Sequence, residues 1–96
     1  MNKYEAIFIV KPELKEEEQN ILFKQIQELI TKNGGTINSA EVWSSKRKLG
    51  YRIKGCNEGT YYLVLLSIAP SAIVTLKQSY LLNENILRLL ILRKPK

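Results

Sequence analysis

The apolar positions of this chain fall into short runs separated by turn residues and by stretches of helical periodicity. Residues 4–10 form a brief β-branched and aromatic run that stops at a Lys-Pro pair, a pattern that predicts a strand. Apolar residues then recur at helical spacing from Leu22 to Ile30, after acidic residues 16–18 that suit the positive end of a helix dipole. A Gly-Gly pair at 34–35 ends the predicted helix.

The middle of the chain predicts a β-hairpin. Residues 36–43 and 49–53 indicate one long, irregular strand that a basic stretch interrupts. The segment from Gly55 to Gly59 is rich in turn residues, so we expect it to connect this strand to a third one at residues 60–68.

The last third predicts one more helix and one more strand. Pro70 opens a helix in which Leu76 and Tyr80 share one face, and residues 86–92 form the fourth strand. The order β-α-β-β-α-β predicts a single domain over residues 1–96. Its class is α+β and ferredoxin-like, with two helices on one face of a four-stranded antiparallel sheet.

Two of the predicted strands are apolar on both faces. A sheet with one solvated face alternates apolar and polar residues, but residues 61–66 and 89–92 do not alternate. Either part of the open face contacts another macromolecule, or the chain's own hairpin or tail covers it.

The composition offers little for catalysis or metal binding. Histidine is absent and Cys56 is the only cysteine, so no imidazole base, zinc-ligand spacing or intrachain disulfide is available. No glycine-rich phosphate-binding motif occurs. We therefore expect no enzyme activity, cofactor, metal or small-molecule substrate.

The net charge of +6 is unevenly distributed. Residues 49–96 carry seven cations but only two acids, Glu58 and Glu84. The densest cluster interleaves cations with a tyrosine that could stack on a base or sugar, as phosphate-contacting surfaces do. It consists of Lys46, Arg47, Lys48, Tyr51, Arg52 and Lys54, and a second cluster consists of Arg88, Arg93, Lys94 and Lys96.

A plainer interpretation of the first cluster is also open. Leu49, Tyr51 and Ile53 could form the buried face of a strand whose outer positions happen to be basic. The N-terminus has no apolar run of signal-peptide length, and no stretch approaches a membrane span, so we expect an intracellular protein without a membrane partner.

Four ordered landmarks are specific enough to compare with a known family. They are Lys3-Tyr4-Glu5 with the following strand and Lys11-Pro12, the basic segment from Arg47 to Lys54, Gly59 with Tyr61, and the segment from Leu82 to Arg88. Over nearly its whole length the chain resembles the bacterial-type small-subunit ribosomal protein six family. It departs from the family pattern at Ser45, where glycine is usual, at Gly50 and at Arg52, and Trp43 lies one place before the usual aromatic residue.

The resemblance implies a ribosomal role. Family members bind the central domain of small-subunit ribosomal RNA together with small-subunit ribosomal protein eighteen. Position by position, it implies RNA or partner contacts at Lys3, Tyr4, Arg47, Tyr51 and Arg88. It also implies a ribosome in the bacterial cytoplasm or, alternatively, in an organelle, the plastid in particular.

The same element order serves other functions, so the fold alone does not decide. The third strand lacks the aromatic signature of an RNA-recognition motif. The remaining alternative is a ferredoxin-like domain that binds a small regulatory molecule or forms a homodimer through its sheet.

Overall fold

A computed structural model describes residues 2–94 and contains the six predicted elements in the predicted order. Their bounds are β1 Asn2–Val10, α1 Glu16–Lys32, β2 Thr36–Ile53, β3 Cys56–Ile68, α2 Pro70–Leu81 and β4 Ile86–Arg93. The strands form one antiparallel sheet in the order β2-β3-β1-β4. This confirms the ferredoxin-like fold, in which β2 and β4 are the outer strands.

Helix α1 has clear start and stop signals. At its start the Glu18 carboxylate accepts a hydrogen bond from the Lys15 backbone N–H at 3.3 Å, and three acidic residues occupy the first turn. At its end Gly34 adopts φ +84°, a conformation that favours glycine. The Gly35 N–H then donates to the Ile30 carbonyl at 2.9 Å, which ends the helix against the sheet.

The core lies between the two helices and one face of the sheet, and aromatic rings fill its centre. Phe8 packs edge-on against Tyr80 with ring centroids 4.9 Å apart, and Phe23 stacks on Tyr62 at 3.9 Å. The hydroxyls of Tyr62 and Tyr80 both have partners: the Tyr80 hydroxyl donates to the Ile26 carbonyl at 2.5 Å, and Gln27 Nε2 donates to the Tyr62 hydroxyl at 2.7 Å. These bonds lock α1 and α2 to each other and to the sheet.

The strands place alternate residues on opposite faces. Phe8, Val64 and Leu66 are buried beneath the helices. On the other face, which we call the open face, Ile7 pairs with Leu63 on one side and with Leu90 on the other. Within residues 2–94 neither helix packs on the open face. The apolar residues that broke the expected alternation therefore lie on it.

The hairpin between β2 and β3 is longer and tighter than predicted. Ile53 pairs with Cys56, so the turn consists of Lys54 and Gly55, which both have positive φ (49° and 81°). The predicted hairpin is present, but of the predicted turn from Gly55 to Gly59 only Gly55 belongs to the turn, because β3 begins at Cys56. Gly59 serves a different purpose, since it lets β3 approach Ile9 closely.

Strand β2 is continuous but bulged. Its register with β3 shifts between Val42 and Ser44 and again between Ser44 and Arg47. Lys46, within the second shift, adopts φ 49°. The basic stretch therefore appears as a bulge rather than an interruption of the strand. At position 45, where the family resemblance leads us to expect glycine, this chain has Ser45. The residue with the left-handed backbone conformation is the next one, Lys46.

We expect Gly59→Ala to destabilise the fold by about 1–3 kcal/mol, the usual cost of overpacking. An added Cβ would lie 2.4 Å from Ile9 Cγ2, a methyl on a stiff β-branched carbon. Urea unfolding measures the loss.

Gly50→Ala is the matched control, because nothing within 4 Å would meet its Cβ. We expect its free energy of unfolding to stay within about 0.5 kcal/mol of the parent. Equal effects of the two substitutions would contradict the close approach at Gly59.

The buried phenols predict a loss of stability at alkaline pH. Burial raises the pKa of Tyr62 and of Tyr80 above the ordinary value of 10.0. Above about pH 10 the unfolded chain loses these phenol protons while the folded chain keeps them, so stability falls as pH rises. We expect Tyr80→Phe to reduce the slope of unfolding free energy against pH by up to about 1.4 kcal/mol per pH unit. An unchanged slope between pH 10 and 12 would refute this assignment.

Candidate nucleic-acid interface

The hairpin bends over one end of the sheet and reaches the opposite outer strand. Lys54 Nζ donates to the Ile86 carbonyl at 3.0 Å. The Arg88 guanidinium donates to the Tyr51 hydroxyl. Because β3 and β1 lie between β2 and β4, these two contacts cross the width of the sheet. They bring the cations of the hairpin next to the cation of β4.

The hairpin covers only this end of the open face. Ile9 is 9% exposed there, and the hairpin residue Leu49 lies near the same point, 3.6 Å from where a Cβ on Gly59 would be. Farther along the open face Leu90 is 46% exposed and Leu92 47% exposed. The chain's own hairpin therefore accounts for one end of the apolar surface, and most of that surface stays open.

Arg47 lies over two aromatic rings at the covered end. Its guanidinium carbon is 5.9 Å from the centroid of the Trp43 ring and 5.3 Å from that of Tyr61. The two rings meet edge to face, with centroids 6.0 Å apart and planes inclined by 76°. We call Trp43, Arg47 and Tyr61 the aromatic–arginine cluster.

The sequence alone does not predict that Trp43 and Tyr61 belong to the site. The missing information was the register of β2 on β3, which shifts at four places, two of them between Val42 and Arg47. Arg47 pairs with Gly59, which lies close to Ile9 on β1. The glycine at position 59 is the one feature of the sequence that indicates this close approach.

A shallow pocket of about 220 Å³ opens beside the cluster on the open face. Its floor is aliphatic and its wall is aromatic, and the described residues that line it include one cation and no acid. They are Ile7, Ile9, Trp43, Tyr61, Arg88 and Leu90.

The predicted hairpin residues are all exposed in the structure. They are Lys46, Arg47, Lys48, Tyr51, Arg52 and Lys54. Tyr51 is 62% exposed, so it does not belong to a buried strand face, whereas Leu49 and Ile53 are half-buried as the plainer interpretation expected. Arg52 Nε donates to Asn57 Oδ1 at 2.9 Å, which fixes one guanidinium across the hairpin.

The other predicted cations lie at the far end of the sheet. Arg93 is five residues from Arg88 along β4, which corresponds to about 16 Å in a strand. The Lys94 N–H donates to the Lys3 carbonyl at 2.9 Å, so these residues form a separate group. Tyr4 is 7% exposed and packs in the core, which leaves its ring unavailable to a partner. Lys96 lies outside the described residues.

Other kinds of site find no support within residues 2–94. No group of three or more His, Cys, Asp or Glu side chains is arranged to hold a metal ion. None of the helices in this range has the length and apolar character needed to cross a bilayer.

Comparison with protein families gives a match along almost the whole chain. The family model described as Ribosomal protein S6 matches residues 3–93. The small ribosomal subunit protein bS6 of Bifidobacterium longum is 41% identical over 93 residues, covering 97% of this chain and 95% of that protein. The bS6 protein of Caldanaerobacter subterraneus is 36% identical and covers 97% of both.

Solved structures agree. The crystal structure of 30S ribosomal protein S6 from Thermotoga maritima has a TM-score of 0.89 at 29% identity, covering 97% of this chain and 87% of that one. The C-terminal domain of the MgtC protein from Mycobacterium tuberculosis has a TM-score of 0.64 at 12% identity, covering 98% and 88%. The second likeness concerns the fold alone.

The bond between Arg88 and Tyr51 predicts a measurable role in ordering the hairpin. We expect Tyr51→Phe to accelerate hydrogen exchange of the hairpin amides, residues 46–58, by about 2- to 10-fold, the effect of losing one exposed hydrogen bond. Amides of the β1–β3 ladder should keep their rates. Tyr61→Phe, which removes a hydroxyl with no hydrogen bond within residues 2–94, is the control. Unchanged hairpin exchange in Tyr51→Phe would contradict this role.

Proposed function

Because the chain belongs to the ribosomal protein S6 family, we propose that it binds the central domain of small-subunit ribosomal RNA jointly with small-subunit ribosomal protein eighteen. It is a structural constituent of the small ribosomal subunit and not an enzyme. The observation that carries the proposal is that cations of the hairpin and of β4 lie side by side at one end of a largely apolar sheet face.

The hairpin end suits RNA. Arg47, Lys48 and Lys54 lie on a bulged, exposed ribbon, and Arg88 joins them from across the sheet. Cations that neutralise phosphates release counterions, which gives affinity without base sequence and makes the affinity dependent on salt. The ribbon can therefore follow an RNA backbone while the sheet supplies a rigid base.

The middle of the open face suits a protein. Ile7, Leu63 and Leu65 are half-buried, and Leu90 and Leu92 are nearly half exposed. Glu5 lies between Leu65 and Leu92, so this patch is mainly apolar and carries one acid. A mainly apolar patch beside a cationic rim is typical of a surface that another protein covers. A partner here and RNA at the hairpin would use one continuous face, so each could stabilise the binding of the other.

The cations at the far end extend the proposed contacts. Lys3, Arg93 and Lys94 lie about 16 Å from Arg88 along the sheet, so they would meet a different part of the RNA or the protein partner. The relatives named above are bacterial, which supports a ribosome in the bacterial cytoplasm over one in a plastid or another organelle. A small-molecule regulatory domain is not favoured, because these relatives are ribosomal proteins.

Neutralising two cations at the hairpin end tests the RNA contact. In the complex with protein eighteen, we expect the double variant Arg47→Gln, Arg88→Gln to bind a central-domain RNA fragment more weakly. We also expect it to reduce the slope of log affinity against log salt by about 1–2, since two phosphate contacts are lost. Filter binding or fluorescence anisotropy from 50 to 300 mM salt measures both.

Lys24→Gln with Lys77→Gln is the matched control. It removes the same net charge from exposed positions on α1 and α2, on the other side of the sheet. We expect it to leave the slope unchanged. Equal losses in the two double variants would mean that only net charge matters, and an unchanged slope in the first would refute the site. A stable homodimer without RNA affinity would overturn the proposed function itself.

A further inference from the structure

We propose that the aromatic–arginine cluster is a stacking site for one unpaired base of the bound RNA. The inference rests on the proposed function and deepens it: the hairpin cations would hold the phosphates, and this cluster would hold a base. Trp43 and Tyr61 supply the rings, and Arg47 supplies a planar cation. Arg47 lies between the other cations of the hairpin and the open face.

The rings are fixed but accessible. Trp43 is 55% exposed although it packs against Tyr61 and lies under Arg47. An edge-to-face pair leaves at least one face of each ring uncovered by the other ring, and the 55% exposure of Trp43 shows that ring surface is free for a third planar group. Little conformational entropy is left to lose on binding, because neighbours already hold both rings.

The bulge in β2 positions the guanidinium. Lys46 takes a left-handed conformation, and Arg47 follows it, paired with Gly59, which has no side chain of its own. Arg47 thereby lies near both rings, at 5.9 and 5.3 Å from their centroids. Strained residues and bulges are concentrated where a side chain must be re-aimed for function.

The charges favour a base over an apolar protein side chain. The pocket beside the cluster has an aliphatic floor of Ile7 and Leu90, but Arg88 lies on its rim and Arg47 above its wall. Burying an apolar side chain gains nothing from two cations, whereas a nucleotide carries a phosphate with its base. Unpaired RNA bases stack on aromatic rings and on arginine planes in this way.

Trp43 is the only tryptophan in the chain, so its fluorescence reports on the cluster alone. The probe is the central-domain RNA fragment, added to the full chain in complex with protein eighteen. The same titration with Trp43→Phe supplies the background to subtract. We expect RNA to quench the Trp43 emission at the concentrations at which it binds.

Affinity gives the second measure. We expect Trp43→Leu to weaken RNA binding about 5- to 150-fold, the effect of one lost base–aromatic stack, with the salt slope unchanged because no cation is removed. Trp43→Phe, which keeps a ring, should recover most of the affinity. Binding of protein eighteen alone, without RNA, should be the same for all three chains.

The outcomes separate this proposal from the one it rests on. If RNA leaves Trp43 emission unchanged and Trp43→Leu binds normally, no base stacks there and the proposal is overturned. If Trp43→Leu weakens the binding of protein eighteen in the absence of RNA, the cluster holds a protein side chain, and the proposal is again overturned. In either case the loss caused by Arg47→Gln with Arg88→Gln would leave the RNA contact standing. Failure of the unsubstituted chain to assemble would overturn both.

Discussion

Both helices of this chain pack on one face of its four-stranded antiparallel sheet, and the other face is largely apolar as well. The helix-covered face holds the core around Phe8 and Tyr62, which gives the sheet its rigidity. Exposure of nearly half of Leu90 and Leu92 is therefore a consequence of the architecture. An exposed apolar surface of this kind usually marks a site where another macromolecule binds. The chain belongs to the ribosomal protein S6 family, so a ribosome is the context in which such a partner would be found.

The hairpin divides this face into zones. It folds over one end of the sheet, covers Ile9, and is tied to β4 through Lys54 and Arg88. The close packing of β3 against Ile9 depends on Gly59, because a Cβ at this position would clash with the Ile9 side chain. A single glycine thus lets a cationic ribbon lie beside an apolar surface. In the proposed function, attraction of RNA to the ribbon and burial of the apolar surface against a protein would take place side by side on one rigid sheet.

Local patterns predicted the elements, because strand alternation, helical spacing and the proline at Pro70 act within a few residues. The predictions that were wrong or missing depend on contacts between residues that are far apart in the sequence. Gly59 was interpreted as a turn residue, but glycine is needed there because a Cβ would clash with Ile9 on another strand. The resemblance singled out Tyr4, yet its parity on β1 places the ring in the core. The aromatic–arginine cluster was not predicted because repeated register shifts in β2, two of them between Val42 and Arg47, determine which residues meet, and no periodicity in the sequence reveals these shifts.

If assembly into the small subunit covers the open face, the side chains on that face lose their exposure to solvent. Hydroxyl-radical oxidation of side chains, measured by mass spectrometry in the free chain and in purified small ribosomal subunits, compares the exposure in the two states. We predict that Trp43, Leu90 and Leu92 lose most of their reactivity in the subunit, while Ile21 and Val74, exposed on the helices, keep more of theirs. Strong protection of Ile21 and Val74, with unchanged oxidation of Trp43, Leu90 and Leu92, would show that assembly covers the helices and not the open face.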